Sequence, residues 1–183
     1  MSDILPGTIL IADPFLKDPN FLRSTVFLCE HNFEATFGFV INRRHGAVIG
    51  DLIADLEGCA FPVYYGGPVQ QDALHFLHQC PQLISGGIEV ADGIFWGGNF
   101  EELTILIKKK MISQGQVRFF IGYSGWGQGQ LEDELNEKSW LTTSGNRKLV
   151  FHSDTDLIWK DAIKQIGGEY VQLINYPIDP QLN

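Results

Sequence analysis

Between Arg118 and Trp140 the chain reads R-F-F-I-G-Y-S-G-W-G-Q-G-Q-L-E-D-E-L-N-E-K-S-W, and its most reactive side-chain types crowd together here. Gly122-Tyr123-Ser124-Gly125-Trp126 is one residue away from the G-x-S-x-G of a nucleophile elbow. An elbow needs its second glycine because the strained turn packs a helix close against a strand, and Trp126 stands at that position. A serine nucleophile also needs a base and an orienting acid, here drawn from His31, His75, His78 or His152 with a carboxylate. The plainer reading is a glycine turn with a surface hydroxyl, so no catalytic residue is assigned. Tyr123 and Trp126, with Gln130 beside them, then form an aromatic pair on a glycine loop. Such a pair is either a packing plug or a binding platform.

Glu30-His31 at a strand end is a second candidate, an acid/base pair with Arg23 and Asn42 nearby if a hairpin forms. Its plainer reading is a hydrogen-bonded hairpin terminus. His75, His78 and Cys80 have the right atoms for a metal. However, residues three apart on a strand point to opposite faces, so no metal site is expected. Gly-Gly pairs begin at Gly66, Gly86, Gly97 and Gly167, none in a phosphate-cradling pattern, so no cofactor is expected. Arg43-Arg44 and the lysines at 108–110 are the basic clusters, the latter a solvated helix end.

The elements that must position these groups read as follows. Residues 119–121 form a buried strand, 122–129 a glycine-dense loop, and a short acidic helix runs from about Gln130 to Glu137. Upstream, residues 8–12, 24–30, 36–42, 62–65 and 73–78 read as strands, the second and third of these as a hairpin. Gly38 marks a bulge or close approach. Ile49, Leu52, Ile53 and Leu56 have helical spacing. Asp92-Gly93 suits a type I′ turn in a hairpin over 88–96. Asn99 with Glu102 reads as a capping box for a helix with Phe100, Leu103, Ile107 and Met111 on its apolar face, ended by Gly115. Residues 140–143 and 149–151 read as strands. A last helix, capped by Ser153 or Asp154, carries Leu157, Ile158, Ala162, Ile163 and Ile166, and Gly167-Gly168 closes it. Strands outnumber helices and follow one another directly, so a mixed sheet is expected.

The 183 residues suit a single domain spanning 1–183, and 13 Phe supply core material. A net charge of −9 opposes DNA binding, which depends on cations meeting phosphates. Cys29, Cys59 and Cys80 lie far apart with no C-x-x-C pair, which reads as reduced thiols in a cytoplasmic protein. Residues 1–6 have no basic and apolar stretch of the signal-peptide kind, and no apolar run reaches the ~20 residues of a membrane span. The first expectation is a non-enzymatic binding or regulatory module using the 122–129 loop, with a protein or small-molecule partner. The alternative is a small hydrolase or transferase using Ser124 or Glu30/His31.

Five segments in order carry a family resemblance. They are L-I-A-D-P-F-L-K-D-P-N-F at 10–21, R-S-T-V-F-L-C-E-H-N at 23–32, G-F-V-I-N-R at 38–43, Y-Y-G-G-P-V at 64–69 and G-Y-S-G-W-G-Q-G-Q-L-E-D-E at 122–134. Over about residues 7–177 the chain resembles the YqgE/AlgH family of bacterial proteins, whose molecular activity is not established. The resemblance implies an α+β fold: a mixed, strongly bent β-sheet forming a partly open barrel flanked by helices, in a bacterial cytosolic protein. The AlgH name also implies a transcriptional regulator of alginate synthesis. Ser124 stands where the family usually has alanine, and Arg43-Arg44 where Lys or Arg followed by Pro is typical. The first departure weakens a serine mechanism for the family as a whole.

Overall fold

The computed structural model describes residues 4–177. Among these residues ten strands form one strongly curled sheet, eight of them in the order β10–β1–β2–β3–β9–β6–β8–β7. The ranges are β1 Thr8–Ala12, β2 Thr25–His31, β3 Ala35–Val40, β6 Val69–His78, β7 Ile88–Ala91, β8 Ile94–Trp96, β9 Val117–Gly127 and β10 Trp140–Ser144. Off this path, β4 (Arg44–Val48) pairs β5 (Pro62–Tyr65), and β5 joins β9 in parallel. The other pairings are antiparallel, which makes the sheet mixed. The curl brings Gly7 against Ala91 and lets the Arg147 N–H donate to Asp92 Oδ2, so the barrel is partly closed at that seam. The helices are α1 Ile49–Leu52, α2 Phe100–Lys108, α3 Gln130–Asn136, α4 Arg147–Val150 and α5 Thr155–Ile166.

Apolar residues fall into three clusters that explain the packing. Phe27, Phe39, Leu77 and Phe120 fill the barrel interior, covered by Ile158, Trp159, Ala162 and Ile163 of α5. Phe76 and Phe119 face Leu103 and Ile107 of α2. Leu10, Val26, Val40, Trp126 and Trp140 pack beneath Leu131 of α3.

Several expectations change. The 122–129 segment is not a loop: β9 runs to Gly127, because residues 124–127 pair with β3. The helix expected over 49–56 breaks at Ile53, whose backbone is extended, into α1 and a 3-10 turn at Ala54–Leu56. α2 stops at Lys108, with Lys110 at φ 55°, so Met111 is exposed and Gly115 lies well beyond the end. Only half of its capping box forms. Asn99 Oδ1 accepts from Glu102 N, while the Glu102 carboxylate accepts from Ser85. Residues 149–151 are not a strand, since Asn146 Oδ1 accepts from Leu149 N and starts α4 instead. Leu157 is largely exposed, and Trp159 takes its place in the core. β4 went unread because Arg44, His45 and Gly46 are polar or small.

Candidate functional site

Gly122 governs the geometry of the central strand. At φ +69° it is left-handed, and a Cβ there would strike the backbone of Gly67 and Val69. Only glycine accommodates both the angle and the approach. The kink also inverts the alternation of faces. Before it, Phe119 and Ile121 face α2 and Phe120 faces the barrel interior. After it, Tyr123 lies on the interior side, and Trp126 lies under α3. Strict period-two counting places Tyr123 with Phe119, so the kink is what delivers this ring to the barrel mouth.

Four strands bring aromatic residues to that mouth: Phe37 from β3, His75 from β6, Trp96 from β8 and Tyr123 from β9, with Trp126 of β9 also bordering it. They surround an open groove of about 450 Å³, bordered by Gly125. The rings hold one another edge to face. Centroid distances are 4.8 Å for Phe37–Trp96, 5.9 Å for Phe37–Tyr123 and 6.0 Å for His75–Tyr123. His75 Nε2 is buried and has no hydrogen-bond partner among the described residues. Burial pushes its pKa down, which keeps the ring neutral. A buried polar atom without a partner costs free energy until something supplies one.

The expected site residues separate. Ser124 is fully buried and donates its Oγ–H to Gly66 O at 3.1 Å, so it is neither a surface hydroxyl nor an available nucleophile. Trp126 is 3% exposed. Its Nε1–H donates to Glu134 Oε2 at 2.9 Å, and the Trp140 indole donates to the same oxygen at 2.7 Å. Phe21 stacks on it at 6.0 Å. Trp126 is therefore a packing plug that also borders the groove, and of the pair Tyr123 is the more exposed. Gln130 is exposed and serves the start of α3, accepting from Gly127 N and donating to Glu134.

Glu30 and His31 do not meet Arg23 and Asn42. The β2–β3 register pairs Val26 with Val40 and His31 with Thr36, so the two pairs lie at opposite ends of the hairpin. Glu30 accepts from Asn32, and His31 Nδ1 contacts Thr36 Oγ1 at 2.6 Å. Asn42 bridges Thr25 N and Arg23 O, a structural clasp. His75 and His78 do point apart. His78 is buried against Phe95, with Nε2 3.0 Å from Gly97 O and Nδ1 accepting from Cys80 N. Among the described residues no group of three or more His, Cys, Asp or Glu is placed to hold a metal ion. Cys29 and Cys80 are buried, and burial pushes both thiols up. Among the described residues no helix is long and apolar enough to cross a membrane.

The reading from sequence missed Phe37 and Trp96 as site residues and considered His75 only as a metal ligand or as a base for Ser124. Each lies on a different strand, and the β3–β9–β6–β8 order that unites them is non-local.

A curled half-barrel with helices packed outside defines an α+β class shared with two solved structures. The solution structure of the AlgH protein from Pseudomonas aeruginosa superposes with a TM-score of 0.76 and 26% identity, covering 97% of this chain and 96% of that one. A crystal structure from Corynebacterium diphtheriae gives 0.76 at 21% identity, covering 95% and 93%, and shows the shared fold. Residues 9–171 match the AlgH-like family, and the chain belongs to it. UPF0301 proteins of Chlorobium limicola and Cytophaga hutchinsonii are 41% and 40% identical over 178 residues. These alignments cover 97% of this chain and 95% and 98% of the relatives.

Proposed function

We propose that this protein is a non-enzymatic bacterial binding module of the cytosol, with regulatory potential, whose ligand seats in the aromatic groove. The observation that carries this reading is the convergence of Phe37, His75, Trp96 and Tyr123 on an open cavity that holds a polar atom, His75 Nε2, unpartnered among the described residues. Concave, mostly apolar sites with few polar groups suit ligands of small-molecule or side-chain size. The fitting ligand is a flat apolar or aromatic group with one hydrogen-bonding atom for His75. The hydrolase or transferase alternative loses support because Ser124 is spent on Gly66 O, while Glu30 accepts from Asn32 and His31 lies between Thr36 and Glu132, away from Ser124's hydrogen bond. A net charge of −9 weighs against regulation by direct DNA contact.

The test is an NMR screen of aromatic and heteroaromatic fragments and aromatic-bearing short peptides. Binding should shift the amides of Phe37, His75, Trp96, Tyr123 and Gly125, and Tyr123→Ala should abolish those shifts while Gln130→Ala leaves them. Hits that map elsewhere, or none at all, would overturn the reading, as would Ser124-dependent turnover of an ester or amide substrate.

A further inference from the structure

Four of the five arginines in a chain of net charge −9 gather at one end of the barrel, away from the aromatic groove's lining. Arg43 and Arg44 open β4, Arg23 precedes β2, and Arg118 lies on β9 behind them. Among the described residues none of the four has a carboxylate within 4.0 Å, whereas the fifth, Arg147, pairs with Asp92 at 3.7 Å. In a chain with 22 acidic residues, this leaves four cations together without a carboxylate in contact among the described residues, Asp13 acting on Arg23 from farther off.

Three of them are fixed by backbone carbonyls. Arg118 is 4% exposed, donates to Ile41 O at 2.9 Å and to His152 O, and sits 4.1 Å over the Tyr64 ring. Arg43 donates to Asn20 O and Leu22 O and to Ser24 Oγ. Arg23 donates to Tyr176 O, lies 4.2 Å over Trp159, and keeps a buried Nε–H without a partner among the described residues. These bonds hold the guanidiniums in place without neutralising them. Burial pulls Arg118 down to about 10, with Tyr64 opposing the fall and the charge of Arg44 adding to it. A buried, uncompensated cation is destabilising by itself.

Arg44 is different: it is exposed and makes no guanidinium hydrogen bond among the described residues. It faces a cavity of about 620 Å³ with Asn42, Arg43, Ser153 and Thr155 on its walls. Asp154 and Asp156 also line it, and Asp154 Oδ1 is committed to the Asp156 N–H at the start of α5. A contiguous cleft adds Arg23, Trp159 and Lys160. Arginine's planar fork matches oxyanions in a way that a lone lysine does not.

We propose that this arginine cleft is a binding site for the oxyanion group, phosphate or carboxylate, of a small molecule, with Arg44 as the direct contact and Arg43, Arg23 and Arg118 supplying the field. It stands independently of the aromatic groove, so either site can fail while the other holds. The experiment follows amide shifts of the full chain during titration with inorganic phosphate and, separately, malonate, at constant ionic strength. Saturable shifts at Asn42, Arg44, Ser153 and Thr155 are expected with at least one probe, and the probe that saturates identifies the source of the oxyanion. Arg44→Ala should weaken binding about ten-fold, the scale of one charge-assisted hydrogen bond. Arg44→Lys should recover part of the loss, and Lys108→Ala, which removes the same charge from α2, should change nothing. Linear, unsaturated shifts with both probes, or equal losses in Arg44→Ala and Lys108→Ala, would overturn the site.

Discussion

Ser124 and Trp126 lie on the same face of β9 and answer substitution differently. The Ser124 hydroxyl supplies one buried hydrogen bond to Gly66 O, an oxygen that also accepts from Val40 N. Ser124→Ala should therefore cost only about 1 kcal/mol and leave groove binding unchanged. Trp126→Ala should cost about 3–5 kcal/mol, since it empties a packed site beside Phe21 and Trp140 and removes one indole donor from Glu134. Chemical denaturation of the two variants checks the contrast, and a Trp126→Ala protein as stable as the parent would contradict the plug. His78 carries a pH dependence. It is wholly buried as a neutral ring with Nδ1 already accepting from Cys80 N, and burial lowers its pKa from the ordinary 6.5. The unfolded chain then binds more protons than the folded one on the acid side. This contribution to stability is full above 6.5 and is lost as pH falls below it towards the lowered folded value, with His75 acting in the same direction. Urea midpoints should accordingly drop between pH 8 and pH 5.5, and a flat profile would argue against a neutral buried His78.

At the scale of elements, the β2–β3 hairpin depends on a glycine that carries no unusual dihedral angle. Gly38 lies against a bulge in β2, where the pairing slips between Leu28 and Glu30. A Cβ at Gly38 would strike Phe27 O and sit 2.9 Å from Leu28 Cα, both backbone atoms that have no rotamer to yield. Gly38→Ala should thus destabilise by about 2 kcal/mol or more, as overpacking against backbone does. The same substitution at Gly127, where a Cβ meets nothing within 4 Å, should cost far less. Comparing the two thermal midpoints tests whether close strand approach, rather than glycine content as such, is what the hairpin requires.

For the whole molecule, β9 ties the two halves of the sheet together: it pairs with β3 through residues 124–127, and with β5 and β6 through its first half. Cutting the chain on either side of β9 would leave one half without its central strand. Residues 1–183 should accordingly behave as one cooperative domain, and limited proteolysis should give either the intact core or small peptides. Two stable folded fragments would refute this.

Much of the scaffold was legible because its causes are local. Short apolar runs rich in β-branched and aromatic residues marked β1, β2, β3 and β5, and Asp92-Gly93, with φ of 51° and 70°, marked the β7–β8 turn. Asn99 and Asp154 marked the starts of α2 and α5, where short polar side chains cap free N–H groups. The five segments at 10–21, 23–32, 38–43, 64–69 and 122–134, taken in order, also pointed to the family. The candidate sites were not legible in the same way. G-Y-S-G-W reads as a loop in isolation because its glycines have no intrinsic strand preference, and only pairing with β3 makes it a strand. Whether Tyr123 or Trp126 meets solvent depended on the face inversion at Gly122 and on α3 closing over Trp126, both set by contacts distant in sequence. The rings of Phe37, His75, Trp96 and Tyr123, and the arginines at 23, 43, 44 and 118, are scattered along the chain. Strand order and sheet curl brought each set together, and only the tertiary structure decides those.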